Sequence, residues 1–123
     1  MVCGLKKHKV MLRVLIDPKA ANGAGHQAIL ISDLKGGWNY VSKDGTNGVN
    51  PVYGKSKFVV KNFDSMHQFL TSEHNFLKYE NGNFKLDKKN NKIQRYEESY
   101  LIETCPSTCI KSFEAAKLSA ERT

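Results

Sequence analysis

The sequence lacks the long apolar runs and biased segments that mark several classes of protein. None of its apolar runs approaches the ~20 residues that a membrane-spanning helix needs, so we expect no transmembrane segment. The first residues carry charge but have neither the apolar core nor the small-residue cleavage site of a signal peptide. We identify no internal repeat, low-complexity tract or interdomain linker. These absences argue against a membrane, coiled-coil, collagen-like or disordered protein.

The composition is typical of a globular domain. Hydrophobic residues make up 40% of the 123 residues and charged residues 25%. A chain of this length buries roughly two thirds of its unfolded surface, which is enough to fold without disulfides or metals. The sequence therefore predicts a single domain over residues 1–123, either complete or as a fragment of a longer module.

Basic residues outnumber acidic residues by 19 to 12, which gives a net charge of +7. Such a charge can form a phosphate-binding surface for RNA or DNA, or it can be an ordinary solvated surface. The one dense basic stretch, Lys85 to Arg95, is typical of a hairpin tip and has no stacking aromatic residues interleaved with it. Nucleic acid is therefore a partner that stays open but is not favoured.

The three cysteines are too few and too poorly spaced for a metal site. Cys105 and Cys109 are four residues apart, with no further ligands at the spacing that zinc requires, so we predict no metal and no cofactor. A local disulfide between these two residues is open if the protein works in an oxidising compartment. Free thiols are the default interpretation.

Hydrophobic patterning and turn residues predict an α+β fold, with a mainly antiparallel sheet of about five to six strands and about two helices. One helix follows a cap at Asp64 or Ser65, and the other begins near Pro106 with Ser107 as its cap. The remaining predicted elements are strands at 10–16, 26–31, 38–42, 57–60, 84–86, 93–96 and 99–103, a glycine-bearing turn at 20–25 and a long loop at 43–52.

His26 is the candidate catalytic base, because it follows a glycine and begins an apolar strand. A strand end can hold an imidazole ring steady beside a nucleophile, although a single histidine in this position is more often structural. Cys109 lies in the first turn of the last predicted helix, where the helix N-terminus favours a thiolate. Ser42, on the neighbouring strand, is either a surface serine or the group that orients the ring. The predicted catalytic residues are therefore His26, Cys109 and Ser42.

Two segments resemble a known family. Residues 23–31 (GAGHQAILI) and 37–45 (GWNYVSKDG) are similar to the opening of circularly permuted papain-like hydrolases of the NlpC or lecithin retinol acyltransferase type. Such domains occur at the C-termini of bacterial rearrangement-hotspot (Rhs) and other polymorphic toxins. The stretch from Tyr100 to Ala120 resembles the strand and amphipathic helix of this family. The resemblance implies a permuted papain-like fold, with His26 as the catalytic histidine.

In this family the nucleophile follows the last helix in an Asn-Cys sequence, which does not occur here before Thr123. Three explanations stay open. The nucleophile lies beyond this sequence, Cys109 or Cys105 replaces it, or the domain has become a binding module.

The leading hypothesis is a cysteine-dependent amidohydrolase, peptidase or acyltransferase in which His26 takes the thiol proton. The resemblance implies a peptide, amide or ester substrate, delivery as a secreted effector toxin, and a cognate immunity protein as partner; otherwise the protein is cytoplasmic. Two alternatives remain. One is a basic nuclease or RNA-binding toxin module that uses a histidine for proton transfer. The other is a non-catalytic partner-binding domain that lacks its nucleophile, with an exposed apolar groove.

Overall fold

The computed structural model describes residues 10–18, 26–45, 56–79 and 81–121. Within these ranges the chain forms one five-stranded sheet and two helices, so the predicted α+β class is confirmed. The elements are, in chain order, β1 (Val10–Asp17), β2 (His26–Ser32), β3 (Trp38–Gly45), β4 (Ser56–Phe63), α1 (Met66–Leu70), a 3-10 turn (Glu73–Asn75), β5 (Glu98–Thr104) and α2 (Pro106–Glu121). Neither helix combines the length and the hydropathy that crossing a membrane would require in this part of the chain.

Neighbouring strands of the sheet are antiparallel, in the order β4-β3-β2-β1-β5. The strand β2 lies in the centre of this order, and its register pairs His26 with Asp17 of β1 and Ala28 with Ser42 of β3. His26 therefore begins a strand whose backbone is held on both sides from its third residue onwards. This placement gives the imidazole a rigid support.

Strand pairing continues further than the apolar runs predict. The sequence predicts a loop from Lys43, but Lys43 and the two residues after it continue β3 and pair with β4. Backbone groups in a ladder are satisfied by pairing whatever the polarity of the side chain, so polar residues extend a strand at no loss of hydrogen bonds. The predicted turn at 20–25 and the part of the predicted loop over 46–52 lie outside the described residues.

Alternate residues of a strand point to opposite sides of a sheet, so this sheet has two cores. We call one the histidine face; its buried hydrophobic residues are Leu15, Ala28, Leu30, Tyr40, Phe63, Phe69 and Tyr96. We call the other the cysteine face; its buried residues are Ile31, Val41 and Cys109. Helix α1 packs on the histidine face through Phe69, and α2 packs on the cysteine face through Cys109.

Helix α1 begins as the sequence predicts. Ser65 has an extended backbone, and its Oγ accepts a hydrogen bond from the backbone N–H of Gln68 at 3.1 Å. The Gln68 side chain in turn accepts from the backbone N–H of Asp64 at 2.7 Å. This reciprocal arrangement resembles a capping box and fixes where the helix starts. The cap thereby positions Phe69, which is 1% exposed, against the histidine face.

The segment between the 3-10 turn and β5 contains three short stretches joined in a ring. We call residues 76–79 and 81–95 the three-segment unit. The backbone N–H of Leu77 donates to the carbonyl of Ile93, that of Ile93 to Lys85, and that of Lys85 back to Leu77, at 2.9, 3.2 and 2.9 Å. The three residues are spaced by eight positions, so the unit has an approximate three-fold symmetry.

This symmetry shows that the expectation of no internal repeat is wrong. Gly82 and Asn90, also eight positions apart, both have positive φ angles, of 89° and 65°. Glycine and asparagine are the residues that tolerate this backbone region best. The predicted hairpin over 84–96 is one part of the repeat. In the sequence the period is carried mainly by Asn75, Asn83 and Asn91 and by Phe76 and Phe84, and most other positions vary, so it is hard to see.

Candidate functional site

A polar cluster lies on the histidine face, where β1 ends and β2 begins. Nε2 of His26 is 2.8 Å from Oγ of Ser42 on the adjacent strand β3. The serine hydroxyl donates or accepts in this bond according to the tautomer of the ring. Ser42 is 1% exposed, whereas His26 is only half-buried. The structure thus brings these two predicted residues together, with the serine behind the ring and the ring at the rim.

Two tyrosine hydroxyls extend the cluster into the core. The ring of Tyr96 lies 6.3 Å from the ring of His26, and the hydroxyl oxygens of Tyr96 and Tyr40 are 2.6 Å apart. Burial, and secondarily the neighbouring Tyr40, raises the pKa of Tyr96 well above its ordinary value. The Tyr96 phenol therefore stays protonated at neutral pH and remains available as a hydrogen-bond donor.

An ion pair supports the same end of the sheet. Asp17, the register partner of His26, is 3% exposed, and its Oδ2 lies 3.4 Å from Nε of Arg95. The guanidinium carbon of Arg95 also lies 5.1 Å from the centre of the Tyr96 ring. The Arg95 side chain is 21% exposed against 4% for Asp17, so the cation is on the solvent side of the pair. An imidazole and a guanidinium therefore lie at this end of the sheet, with three buried hydroxyl groups behind them.

Cys109 lies on the other side of the sheet from this cluster. It packs with Ile31 and Val41 on the cysteine face, whereas His26 occupies an alternate position of the same strand as Ile31 and belongs to the histidine face. The sheet itself separates the thiol from the imidazole. The predicted dyad of Cys109 and His26 is therefore not formed in this structure.

The surroundings of Cys109 also disfavour a thiolate. Burial raises the pKa of the Cys109 thiol, and a hydrogen bond with the backbone of Ser32 offsets this only in part. A groove of about 220 Å³ passes beside Cys109, and no histidine is among the residues that line it in the described structure. The position in the first turn of α2 is as predicted, but desolvation outweighs any effect of the helix N-terminus.

Cys105 cannot replace Cys109 as the partner of His26. It is disulfide-bonded, so the default interpretation of free thiols is wrong for Cys105, and because Cys109 is a free thiol, the local disulfide that the sequence left open is not formed. The residue before it, Thr104, pairs with Val10 at one end of β1, whereas His26 pairs with the residue at the other end. The full length of β1 separates them, roughly 23 Å at ~3.3 Å per residue.

The three-segment unit presents a basic surface that leads into the site. Residues 76–95 include six basic and two acidic residues, and the last of the basic residues is Arg95. Nζ of Lys92 lies 4.1 Å from the centre of the Phe84 ring and 5.4 Å from that of Phe76. Sequence inspection found no aromatic residues within the basic stretch, but the eight-residue period brings these rings among the lysines. The combination of rings and cations is typical of surfaces that bind nucleic acid.

Sequence inspection missed Asp17, Arg95 and Tyr96 as members of the site. Asp17 precedes a proline and was interpreted as the start of a loop, and the other two residues fall at the end of a predicted hairpin. Asp17 and Arg95 are 78 positions apart and meet only through the packing of the three-segment unit on the sheet. The sequence offers one signal for the tyrosines of the site: Tyr40 alternates with Ser42 along a predicted strand, which places both side chains on the same face of the sheet.

Neither a metal site nor a relative helps to assign this cluster. Among the residues described, no three His, Cys, Asp or Glu side chains are grouped so as to hold a metal ion. No family model, curated protein or solved structure matches the chain. The chemistry of the cluster is therefore what indicates a function.

Proposed function

We propose that the protein cleaves RNA, with His26 as the general base and Arg95 as the cation that binds the phosphate. The observation that carries this proposal is the position of His26, which is anchored by Ser42 at the rim while Cys105 and Cys109 lie elsewhere. Among the described residues no cysteine thiol lies beside His26, and the Ser42 hydroxyl next to the ring is buried, so this geometry suits a substrate that supplies its own nucleophile. The 2′-hydroxyl of RNA is such a group.

In this mechanism His26 removes the proton of the 2′-hydroxyl, and the 2′-oxygen attacks the adjacent phosphorus. The bond between phosphorus and the 5′-oxygen breaks, and the proton held on His26 returns to that oxygen, directly or through water. The products are a 2′,3′-cyclic phosphate and a free 5′-hydroxyl. Ser42 is a positioning residue, because its hydrogen bond fixes the plane of the imidazole before substrate arrives.

Arg95 supports the proposal because it contacts Asp17, the register partner of His26. Negative charge grows on the phosphate oxygens as the 2′-oxygen attacks, and a fixed guanidinium stabilises it without reorganisation at the moment of reaction. Asp17 and the Tyr96 ring both contact the Arg95 side chain, and 21% of this side chain is exposed to solvent. The cation is therefore both preorganised and accessible to solvent.

The charge of the protein supports the same substrate. A net charge of +7 attracts a polyanion, and the three-segment unit places a basic surface next to Arg95. Phosphate contacts of this kind release counterions, so we expect RNA binding to weaken steeply with salt. In this proposal the three-segment unit binds the strand and the polar cluster cleaves it.

The cysteine hydrolase implied by the sequence resemblance is the competing proposal. Its support is that the two resembling segments contain most of β2 and all of β3, and that Ser42 is hydrogen-bonded to His26, as an orienting group would be. It requires a thiol beside His26, and in the described structure neither Cys105 nor Cys109 is there. Delivery as an effector and neutralisation by an immunity protein are compatible with either activity.

The proposal is tested with a 5′-labelled DNA oligonucleotide that contains a single ribouridine. We expect cleavage only after the ribonucleotide, with a 2′,3′-cyclic phosphate on the 5′ product. His26→Gln can keep a hydrogen bond to Ser42 but removes the base, so we expect a rate loss of at least ~100-fold. Circular dichroism of the variant confirms that it remains folded.

Cys109→Ala is the matched control, and we expect it to cleave within about two-fold of the unmodified protein. An intact ribouridine oligonucleotide, or unchanged cleavage by His26→Gln, would overturn the proposal. The competing hydrolase predicts a different result: hydrolysis of amide or ester substrates that iodoacetamide abolishes, with no cleavage at the ribonucleotide.

A further inference from the structure

A cavity of about 120 Å³ lies on the histidine face next to the polar cluster. Its lining includes the apolar side chains of Leu15, Met66 and Phe69, together with Tyr96, whose ring also neighbours His26. Tyr96 is therefore a wall shared by the cavity and the proposed cleavage site. A ligand in this cavity would contact the same tyrosine that neighbours His26.

Two residues that line the cavity each have a buried polar atom with no hydrogen-bond partner within the described chain. The two atoms are Nε of Arg13, a donor, and Oδ1 of Asn75, an acceptor. Asn75 is 4% exposed, and its Nδ2 donates to the carbonyl of Leu70 at 3.0 Å, which identifies Oδ1 as the atom left over. Arg13 uses one of its terminal nitrogens to donate to Ser99 at 2.8 Å.

Unpaired buried groups are rare in folded proteins because each loses its hydrogen bonds to water. The unpaired donor and the unpaired acceptor belong to residues that line the same cavity, so a single ligand with one acceptor and one donor could pair with both. That ligand offers an acceptor to Arg13 and a donor to Asn75, and it has an apolar body that fits among the side chains of Leu15 and Met66. By comparison, a cavity of ~150 Å³ holds a benzene molecule, so this space is closer in size to a single six-membered ring than to a fused ring system.

We propose that the cavity binds a pyrimidine base of the RNA substrate. The choice of a nucleobase among ring compounds rests on the proposed function, whereas the cavity and its unpaired atoms are independent of it. In uracil a ring carbonyl accepts from Arg13 and N3–H donates to Asn75; in cytosine the carbonyl accepts and the 4-amino group donates. A purine, with two fused rings, fits this space less well than a pyrimidine.

The cavity is connected to the phosphate-binding side through the backbone. The N–H of Arg95 donates to the carbonyl of Asn75 at 2.7 Å, so the residue that binds the base and the residue that binds the phosphate are directly joined. Both unpaired atoms are shielded from water, and the base reaches them after the Arg13 side chain rotates. Arg13 is only half-buried, and such side-chain adjustments are common when ligands bind.

Uridine, which has no phosphate, tests the cavity separately from cleavage. Methyl resonances of the full chain, labelled at methionine and leucine, are followed while uridine or adenosine is added. We expect the Met66 and Leu15 methyl groups to shift in a saturable way with uridine, and adenosine to bind at least ten-fold more weakly. Arg13→Met should weaken uridine binding by at least ten-fold, whereas Lys35→Met, which removes one exposed charge on the β2–β3 loop, should not change it.

Each outcome is decisive for one of the two proposals. Uridine binding at these methyl groups without cleavage of the ribouridine oligonucleotide supports the cavity assignment and overturns the cleavage. Cleavage with no shift of the methyl groups, or with equal affinity for uridine and adenosine, overturns the cavity assignment and leaves cleavage standing. Equal weakening by Arg13→Met and Lys35→Met also overturns it. If Arg13→Met does not fold, the comparison of the two nucleosides on the unmodified protein decides.

Discussion

The two faces of the sheet are made from the same strands, but one leaves its reactive side chain partly exposed and the other buries it. Along β2 and β3, His26 and Ser42 belong to one face, and Ile31 and Val41 belong to the other. The histidine face closes around hydrogen-bonded hydroxyl groups and leaves an imidazole at its rim. The cysteine face closes around a thiol whose pKa is raised by burial. The face of the sheet on which a reactive residue packs therefore decides whether it stays available.

The faces also differ in how much of their stability comes from large, fully buried rings. On the histidine face Phe69 is 1% exposed and packs against Tyr40 and Phe63, with ring centres 5.2 and 5.5 Å away. On the cysteine face the largest ring of α2 is Phe113, which is only half-buried. The histidine face should therefore be the more sensitive to truncation.

The largest expected effect is the loss of Phe69. Phe69→Ala removes a fully buried ring, and we expect the free energy of unfolding to fall by about 3–5 kcal/mol. Phe113→Ala on the other face should cost less than half as much, because its ring already contacts water. Urea titrations of the two variants provide the measurement. Equal losses would mean that the two faces contribute alike and that the comparison is wrong.

A second, smaller effect distinguishes the histidine face through the pH dependence of the free energy of unfolding. Because the pKa of Tyr96 is raised in the folded protein, the unfolded chain releases this proton near pH 10 while the folded protein keeps it. Stability is therefore unaffected below about pH 10 and falls above it, by up to about 1.4 kcal/mol per pH unit. In Tyr96→Phe this contribution disappears, so the alkaline decline should be shallower.

At neutral pH the same variant should lose about 1–3 kcal/mol, since Tyr40 loses its buried hydroxyl partner. Urea midpoints at pH 7, 9, 10.5 and 11.5 measure both effects. Parallel pH profiles for the variant and the unmodified protein would show that Tyr96 does not resist ionisation in the fold.

The strands were predictable where hydrophobicity and β-branched residues agree, as in Val10–Asp17 and His26–Ser32. The cap at Ser65 was also predictable, because a serine before an amphipathic stretch has a local physical role. The three-segment unit was not, because its period is expressed in backbone hydrogen bonds more than in side-chain types.

The candidate site was predictable only in part, for a similar reason. His26 and Ser42 lie on adjacent paired strands, so alternation and a short connection suffice to bring them together. Arg95 reaches Asp17 across 78 positions, through packing that no local pattern encodes. The error over Cys109 has a different origin: helix position suggested reactivity, but the choice of sheet face, which the sequence left open, decides burial.

The smallest expected effect concerns Cys109, and it sharpens the contrast between the faces most directly. Burial and the raised pKa keep this thiol protonated and shielded, so a thiol reagent at pH 8 should react with it slowly in the folded protein and rapidly in denaturant. The difference in labelling between the unmodified protein and Cys109→Ala isolates this one thiol. The variant should lose only about 1–2 kcal/mol of stability, because it leaves a small space among Ile31 and Val41. Rapid labelling of Cys109 in the folded state would show that the cysteine face opens, and it would return this thiol to consideration as a nucleophile.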